Sequence, residues 1–172
     1  PSGPSLVLLP GPTDSAASYR AVLDHLPHRV DAVAVSPRGH GDSDKPPAGY
    51  AVPDFAADLV LLLDALDIER AVLAGHSGSC LVVRHVAIHH PRRVAALVLE
   101  ASPTTLRHQE GARRLVETVL SELQDPIDAD FVRSFVVDTS SAGVPSALIE
   151  ELVREAHKVP AAVWREMFAA VL

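Results

Sequence analysis

Short apolar segments alternate with longer amphipathic segments in the first part of the chain. Four short segments are nearly continuous in apolar residues and end in turn-forming residues, which is typical of buried strands: 5–10, 30–36, 71–75 and 94–100. The segments 18–26, 53–66 and 78–90 instead repeat apolar positions at helical spacing. In 53–66 this spacing predicts one buried face, formed by Phe55, Leu59, Leu62, Leu63 and Leu66. Alternating strands and helices predict an α/β fold with a parallel sheet covered by helices.

The pattern changes after Pro103, where the predicted strands stop. Four segments with helical period follow, separated by Asp, Ser, Gly and Pro: 111–124, 129–137, 145–157 and 160–172. We therefore predict two parts, an α/β core over residues 1–103 and a helical segment over residues 104–172.

Composition excludes several classes of function. The chain has 172 residues and is 48% hydrophobic, which is enough for a core of ordinary globular size. The net charge is −7 and the basic residues are scattered, so we expect no nucleic-acid partner. Cys80 is the single cysteine, which excludes an internal disulfide and fits a reducing, cytoplasmic compartment. No apolar run has the length of a membrane span, so we expect no membrane partner.

The polar stretch GHSGS, residues 75–79, interrupts an apolar run between a predicted strand and a predicted helix. Such a turn lies at the carboxyl edge of a parallel sheet, where open α/β proteins place their sites. Gly75 and Ser79 are the small residues that a helix doubling back on its strand requires. Ser77 would then project its hydroxyl into a cleft, with the N–H of Gly78 facing any oxyanion that forms there.

Three motifs, each after a predicted strand, together resemble the α/β-hydrolase family. GHSGS resembles the family's G-x-S-x-G nucleophile elbow, LLPGPTDSAASY (8–19) resembles its oxyanion loop, and SPRGHGDSDKP (36–46) resembles the loop after the next strand. The resemblance covers nearly the whole chain and implies a partial α/β-hydrolase core with a helical cap segment. It also implies a serine hydrolase that cleaves an ester or related carbonyl substrate through an acyl-enzyme, with no metal and no organic cofactor.

The predicted oxyanion loop departs from the family pattern. The second oxyanion donor of the family is usually the N–H that follows a His-Gly pair, but here Pro10-Gly11 is followed by Pro12, which has no N–H. The donor must therefore shift to Thr13 or be missing, and the loss of one such donor costs about 3 kcal/mol of transition-state stabilisation. Gly11, Pro12 and Thr13 are the candidate oxyanion residues. Pro12 also keeps open the alternative of a non-catalytic, ligand-binding homologue.

The resemblance implies a catalytic acid and a catalytic histidine on loops after later strands, and these strands are not in the sequence. We therefore expect the sequence to be a fragment whose catalytic base lies outside it. Glu100, at the end of the last predicted strand, is an alternative acid. His157 follows Ser77 in the required order but sits in a helical pattern, so it is a poor candidate for the base.

Other polar residues have simpler interpretations. We expect Arg38, His40 and Asp42 to stabilise their own glycine-rich loop, and His76 to pack beside the elbow. Nucleotide binding is disfavoured because the turn matches neither dinucleotide nor P-loop spacing. A serine at the elbow, where epoxide hydrolases and haloalkane dehalogenases use Asp, argues against both chemistries. The apolar residues of the helical segment predict a small or medium apolar substrate, and the oligomeric state stays open.

Overall fold

Four strands form one parallel sheet in the order β2-β1-β3-β4. The computed structural model describes residues 3–172, and its strands are β1 (Ser5–Leu9), β2 (Ala32–Ala34), β3 (Ala71–His76) and β4 (Val94–Glu100). Each pair of neighbouring strands is parallel, so all four carboxyl ends meet at one edge of the sheet. The predicted α/β fold class is confirmed, with β2 shorter than the pattern at 30–36 indicates.

Helices connect the strands and continue after β4. In residues 3–172 they are α1 (Arg20–His25), α2 (Val52–Ala65), α3 (Ser79–His89), α4 (Glu110–Thr118), α5 (Ala129–Thr139), α6 (Ser146–Ala156) and α7 (Ala161–Ala169). The predicted helix at 18–26 begins as a 3-10 turn over Ala16–Tyr19, and the one at 111–124 ends early in a 3-10 turn over Leu120–Glu122. The predicted order of elements is therefore confirmed, and the differences among the helices lie at their ends.

The main core contains residues of the sheet, of the helices α2 and α3, and of the helices after β4. Phe55, Leu59 and Leu63 of α2 are buried as the sequence predicts. Leu62 is only partly buried, and the prediction for Leu66 is wrong, because Leu66 is the C-cap of α2 and its side chain is 44% exposed. The apolar stripe of α2 is thus narrower than its sequence indicates.

The helices after β4 pack over the carboxyl edge of the sheet. Trp164 and Met167 of α7 are buried in the same apolar cluster as the strand residues Val7 and Leu73. Ion pairs also join the helical segment to the first part of the chain: Glu151 pairs with Arg20 of α1 at 2.7 Å, and Lys158 pairs with Asp42 of the loop after β2 at 2.9 Å. The division at residue 103 into core and cap stays a prediction, since both parts share one core. No helix within residues 3–172 combines the length and the apolar character that crossing a membrane requires.

Candidate active site

Ser77 occupies a sharp turn between β3 and α3. Its φ is +52°, in the left-handed region that non-glycine residues rarely adopt. The N–H of Ser77 donates to the carbonyl of Glu100 at 2.9 Å, so the pairing of β3 with β4 continues into the turn. This pairing holds the strained residue in place, and strain of this kind is concentrated at functional sites.

The two small residues that flank Ser77 have different roles. A Cβ on Gly75 would lie 2.8 Å from the carbonyl oxygen of Ser79 and 2.9 Å from the nitrogen of Cys80, so only glycine allows α3 to approach β3 this closely. Ser79 is 3% exposed, and its hydroxyl donates to the carbonyl of Pro10 at 2.5 Å. Ser79 therefore ties the elbow helix to the predicted oxyanion loop. The sequence predicts only that residue 79 must be small. The signal for this bond was the serine itself, which stands where the family motif has glycine.

The turn leaves one backbone donor free beside the Ser77 hydroxyl. Within residues 3–172 the N–H of Gly78 donates no hydrogen bond, and it lies at the start of α3, where the helix dipole favours negative charge. A Cβ on Gly78 would lie 2.8 Å from Cγ of Pro12, so the ring of Pro12 packs directly on the turn. The arrangement can hold a carbonyl oxygen that gains negative charge.

Each carbonyl of the predicted oxyanion loop from Leu9 to Pro12 faces a polar hydrogen or a ring nitrogen within hydrogen-bond distance. Pro10 and Pro12 have no N–H, so the loop is anchored mainly through these carbonyl oxygens. The four contacts are Leu9 with the Tyr19 hydroxyl at 3.0 Å, Pro10 with the Ser79 hydroxyl at 2.5 Å, Gly11 with the Asp14 N–H at 3.0 Å, and Pro12 with Nε2 of His40 at 3.0 Å.

The side chains of His76 and Asp14, two titratable groups, lie against Gly11 of the predicted oxyanion loop. A Cβ on Gly11 would be 2.9 Å from Nδ1 of His76 and 3.2 Å from Oδ2 of Asp14, so both side chains press against this glycine. Burial raises the pKa of Asp14 above its ordinary value of 3.8, and the nearby His76 opposes that rise. Burial also raises the pKa of Tyr19, and the charges of Glu100 and Asp14 raise it further.

A cavity of about 420 Å³ opens at the Ser77 turn. Ser77, Gly78 and Pro12 line one side, residues 101–106 line a second, and Met167 with its neighbours in and after α7 lines a third. Helix α7 therefore forms a wall of the same cavity as the Ser77 hydroxyl. A cavity of this size accepts a small molecule.

The other predicted site residues lie around this cavity without lining it. Glu100 contributes its carbonyl to Ser77, while its exposed side chain is in register with His76 on the paired strand. Thr13 is 8% exposed, and its N–H has no hydrogen-bond acceptor within residues 3–172.

His157 is the C-cap of α6 and lines a separate cavity with Asp125. In the described part of the chain no histidine forms a hydrogen bond with the Ser77 hydroxyl.

The side chains of the loop after β2 are predicted to stabilise that loop, and the structure agrees only in part. Arg38 forms a bidentate ion pair with Asp58 at 2.5 Å and donates to the Gly49 carbonyl, and His40 contacts the Arg38 carbonyl at 2.9 Å. The contact of Nδ1 confirms that His40 stabilises its own loop, whereas the side chain of Arg38 joins that loop to α2 and to Gly49. The prediction for Asp42 is wrong, because its exposed carboxylate pairs with Lys158, two residues after the end of α6, instead. Lys158 lowers the pKa of Asp42, and the carboxylates of Glu155 and Asp42 together raise the pKa of Lys158.

Comparison with known proteins identifies the family. Residues 4–150 match the family model of the α/β-hydrolase fold. The chain therefore belongs to the α/β-hydrolase fold family. It is 35% identical over 123 residues to the non-heme chloroperoxidase of Streptomyces lividans, a match that covers 70% of this chain and 44% of that protein.

Two further matches show how far the similarity extends. The chain is 40% identical over 76 residues to the 2-(acetamidomethylene)succinate hydrolase of Mesorhizobium japonicum, covering 44% of this chain and 27% of that one. Its fold matches an esterase from Exiguobacterium antarcticum with a TM-score of 0.79 at 18% identity, over 99% of this chain and 66% of that one. The chain thus spans less than half of these two relatives and about two thirds of the solved structure.

Proposed function

We propose that the protein is a serine hydrolase that cleaves an ester or a related carbonyl compound, with Ser77 as its nucleophile. The observation that carries this proposal is the strained serine at the strand-to-helix turn, whose φ of +52° presents a hydroxyl beside the free N–H of Gly78 in a cavity of about 420 Å³. The family membership and the relative named as a hydrolase support the same class of reaction.

The proposed reaction proceeds in two steps. Oγ of Ser77 attacks the substrate carbonyl carbon while its proton passes to a general base, and the carbonyl oxygen becomes a tetrahedral oxyanion. The N–H of Gly78 stabilises this oxyanion, and the unpartnered N–H of Thr13 is the candidate for the second donor. Collapse of the intermediate expels the alcohol and leaves an acyl ester on Ser77, which water then hydrolyses to the free acid.

The cavity has one apolar wall and one polar wall, the latter carrying the hydroxyl and amide side chains among residues 102–109, and the apolar wall favours an apolar part in a small or medium substrate. Met167, Phe168 and Val171 supply an apolar wall opposite Ser77, and the ring of Pro12 adds another apolar surface. The cavity lining contains no Lys, Arg, Asp or Glu side chain within the described residues, so a charged acyl group would find no partner there. We therefore propose an uncharged ester with an apolar acyl or alcohol part.

Pro12 favours a second candidate function. Because its ring carries no N–H and lies against Gly78, the site has lost a donor that catalysis in this family usually uses. The same cavity could then bind an apolar ligand without hydrolysing it. The two functions differ in whether Ser77 is reactive.

A fluorophosphonate probe separates these candidates, because it forms a covalent bond only with an activated serine. The protein at its full natural length is treated with the probe, and the modified peptide is located by mass spectrometry. We expect stoichiometric modification of Ser77 and none in Ser77→Ala. The matched control is Ser102→Ala, which removes a hydroxyl from the same cavity and should leave labelling unchanged. An unlabelled Ser77 would favour the ligand-binding function.

A further inference from the structure

His40 connects the loop after β2 to the predicted oxyanion loop. Its side chain is 2% exposed, and its two ring nitrogens face two different carbonyls: Nδ1 faces Arg38 at 2.9 Å and Nε2 faces Pro12 at 3.0 Å. The first contact stays within the His40 loop, while the second crosses 28 positions of sequence to the oxyanion loop. Any displacement of His40 is therefore transmitted to Pro12.

The neutral imidazole cannot satisfy both carbonyls. Burial lowers the pKa of His40 below its ordinary value of 6.5, and the carbonyls of Arg38 and Pro12 oppose this decrease only in part. The ring is therefore neutral near pH 7, and a neutral imidazole carries one N–H. The ring nitrogen that carries this single proton therefore decides whether the carbonyl of Arg38 or that of Pro12 accepts a hydrogen bond from His40.

The Pro12 carbonyl fixes the direction of the next backbone N–H. In a trans peptide the C=O and the N–H point in opposite directions, so the N–H of Thr13 points away from His40 when the Pro12 carbonyl points toward it. Pro12 lies between His40 and the Ser77 cavity, because its ring lines that cavity while its carbonyl faces His40. The Thr13 N–H therefore points away from His40, in the direction in which the Ser77 cavity lies.

We propose that His40 is a positioning residue of the oxyanion hole: its Nε2–H donates to the Pro12 carbonyl and so aims the Thr13 N–H at the oxyanion in place of the N–H that Pro12 lacks. This inference rests on the proposed serine-hydrolase function. It also explains how a loop with two prolines can supply a second donor, since the peptide plane is set by a side chain from a neighbouring loop.

Replacing His40 by Gln or by Asn tests which of its ring nitrogens positions the Pro12 carbonyl. The side-chain nitrogen of Gln reaches the position of Nε2 and can donate to Pro12, whereas the shorter Asn reaches only the position of Nδ1 and can donate to Arg38. We expect His40→Gln to keep kcat for a chromogenic acetate ester within about threefold of the wild type. We expect His40→Asn to lower kcat by about 100-fold with KM nearly unchanged, which is the effect of losing one oxyanion donor.

The position of the His40 ring proton can be measured directly, without an activity assay. In the wild-type protein, NMR of ¹⁵N-labelled histidine should show the His40 proton on Nε2, and amide exchange at Thr13 should accelerate in His40→Asn but not in His40→Gln. A proton on Nδ1, equal kcat values for the two variants, or a change in Tm alone would overturn the proposal. If the wild type hydrolyses no ester and Ser77 is not labelled, the proposed function fails, and the NMR result still decides whether His40 holds Pro12.

Discussion

The ring of Pro12 lies directly against the backbone of Gly78, so that a Cβ at position 78 would be only 2.8 Å from Cγ of Pro12. This contact joins the loop after β1 to the turn after β3 at the point where the Ser77 cavity opens. In proline, Cδ takes the direction that the amide hydrogen has in other residues, and Cδ of Pro12 also points toward Gly78. An N–H at position 12 would therefore point into the site.

Replacing Pro12 by alanine should increase activity. The variant Pro12→Ala restores an N–H next to that of Gly78, and an added oxyanion donor should raise kcat for ester hydrolysis by roughly tenfold or more. Steady-state kinetics with a chromogenic ester measure this change. The control Pro10→Ala adds an N–H at a residue that does not line the cavity and should give no such gain. A Pro12→Ala variant with lower kcat would contradict the assignment of residue 12 to the oxyanion loop.

Adding a methyl group at Gly78 should impair catalysis more than folding. In Gly78→Ala the new Cβ forces the Pro12 ring away from the turn, and a displacement of this size at an oxyanion site lowers kcat by about 100-fold. Kinetics and thermal unfolding, measured on the same sample, separate the two effects. Unchanged kcat would show that the contact between Pro12 and Gly78 has no catalytic importance.

Gly75 should be intolerant of alanine for a structural reason. The Cβ in Gly75→Ala would overlap backbone atoms of Ser79 and Cys80, which cannot move without shifting α3, so we expect a loss of about 2–4 kcal/mol in the free energy of unfolding. Urea denaturation measures it. The matched control is Gly111→Ala in α4, where a Cβ meets nothing within 4 Å and should stabilise the helix by up to about 1 kcal/mol. Equal stability of the two variants would contradict the tight packing of the elbow.

Asp14 should make stability depend on pH. Its pKa is raised in the folded protein, so the folded state binds the proton more tightly than the unfolded state, and stability falls as pH rises from about 3.8 through the raised pKa. Asp14→Asn removes this loss, so the variant should be more stable than the wild type near neutral pH and equal to it at pH values below 3.8.

Urea denaturation of both proteins across this pH range checks the prediction for Asp14. Asp24→Asn, on the exposed surface of α1, controls for the removal of one negative charge. A gain for Asp14→Asn that does not shrink as the pH falls would mean that the buried carboxylate is not its cause.

The sequence predicts the sheet and the elbow because their signals are local. The apolar run at 94–100 gives the bounds of β4 without error, and GHSGS places Ser77 between a strand and a helix as the structure has it. A small residue at each side of a tight turn is likewise a local requirement, so Gly75 could be identified from spacing alone. The family assignment rests on motifs of this kind and is confirmed.

The contacts that complete the site are not local, and the sequence did not reveal them. The bond from His40 to Pro12 spans 28 positions and the one from Ser79 to Pro10 spans 69, so no periodicity or motif relates the partners. The partner of Asp42 is Lys158, 116 positions away. Such pairs depend on how the loops at the carboxyl edge of the sheet converge in three dimensions.

The acyl-enzyme on Ser77 is the central claim, and a rapid-quench experiment tests it most directly. The protein at its full natural length is mixed with a chromogenic ester, quenched in acid within one turnover, digested and analysed by mass spectrometry. The account predicts an acyl group on the peptide that contains Ser77, formed in a burst, and no burst in Ser77→Ala. Ester hydrolysis that continues at the same rate in Ser77→Ala, or an acyl group found on another residue such as Cys80, would contradict it.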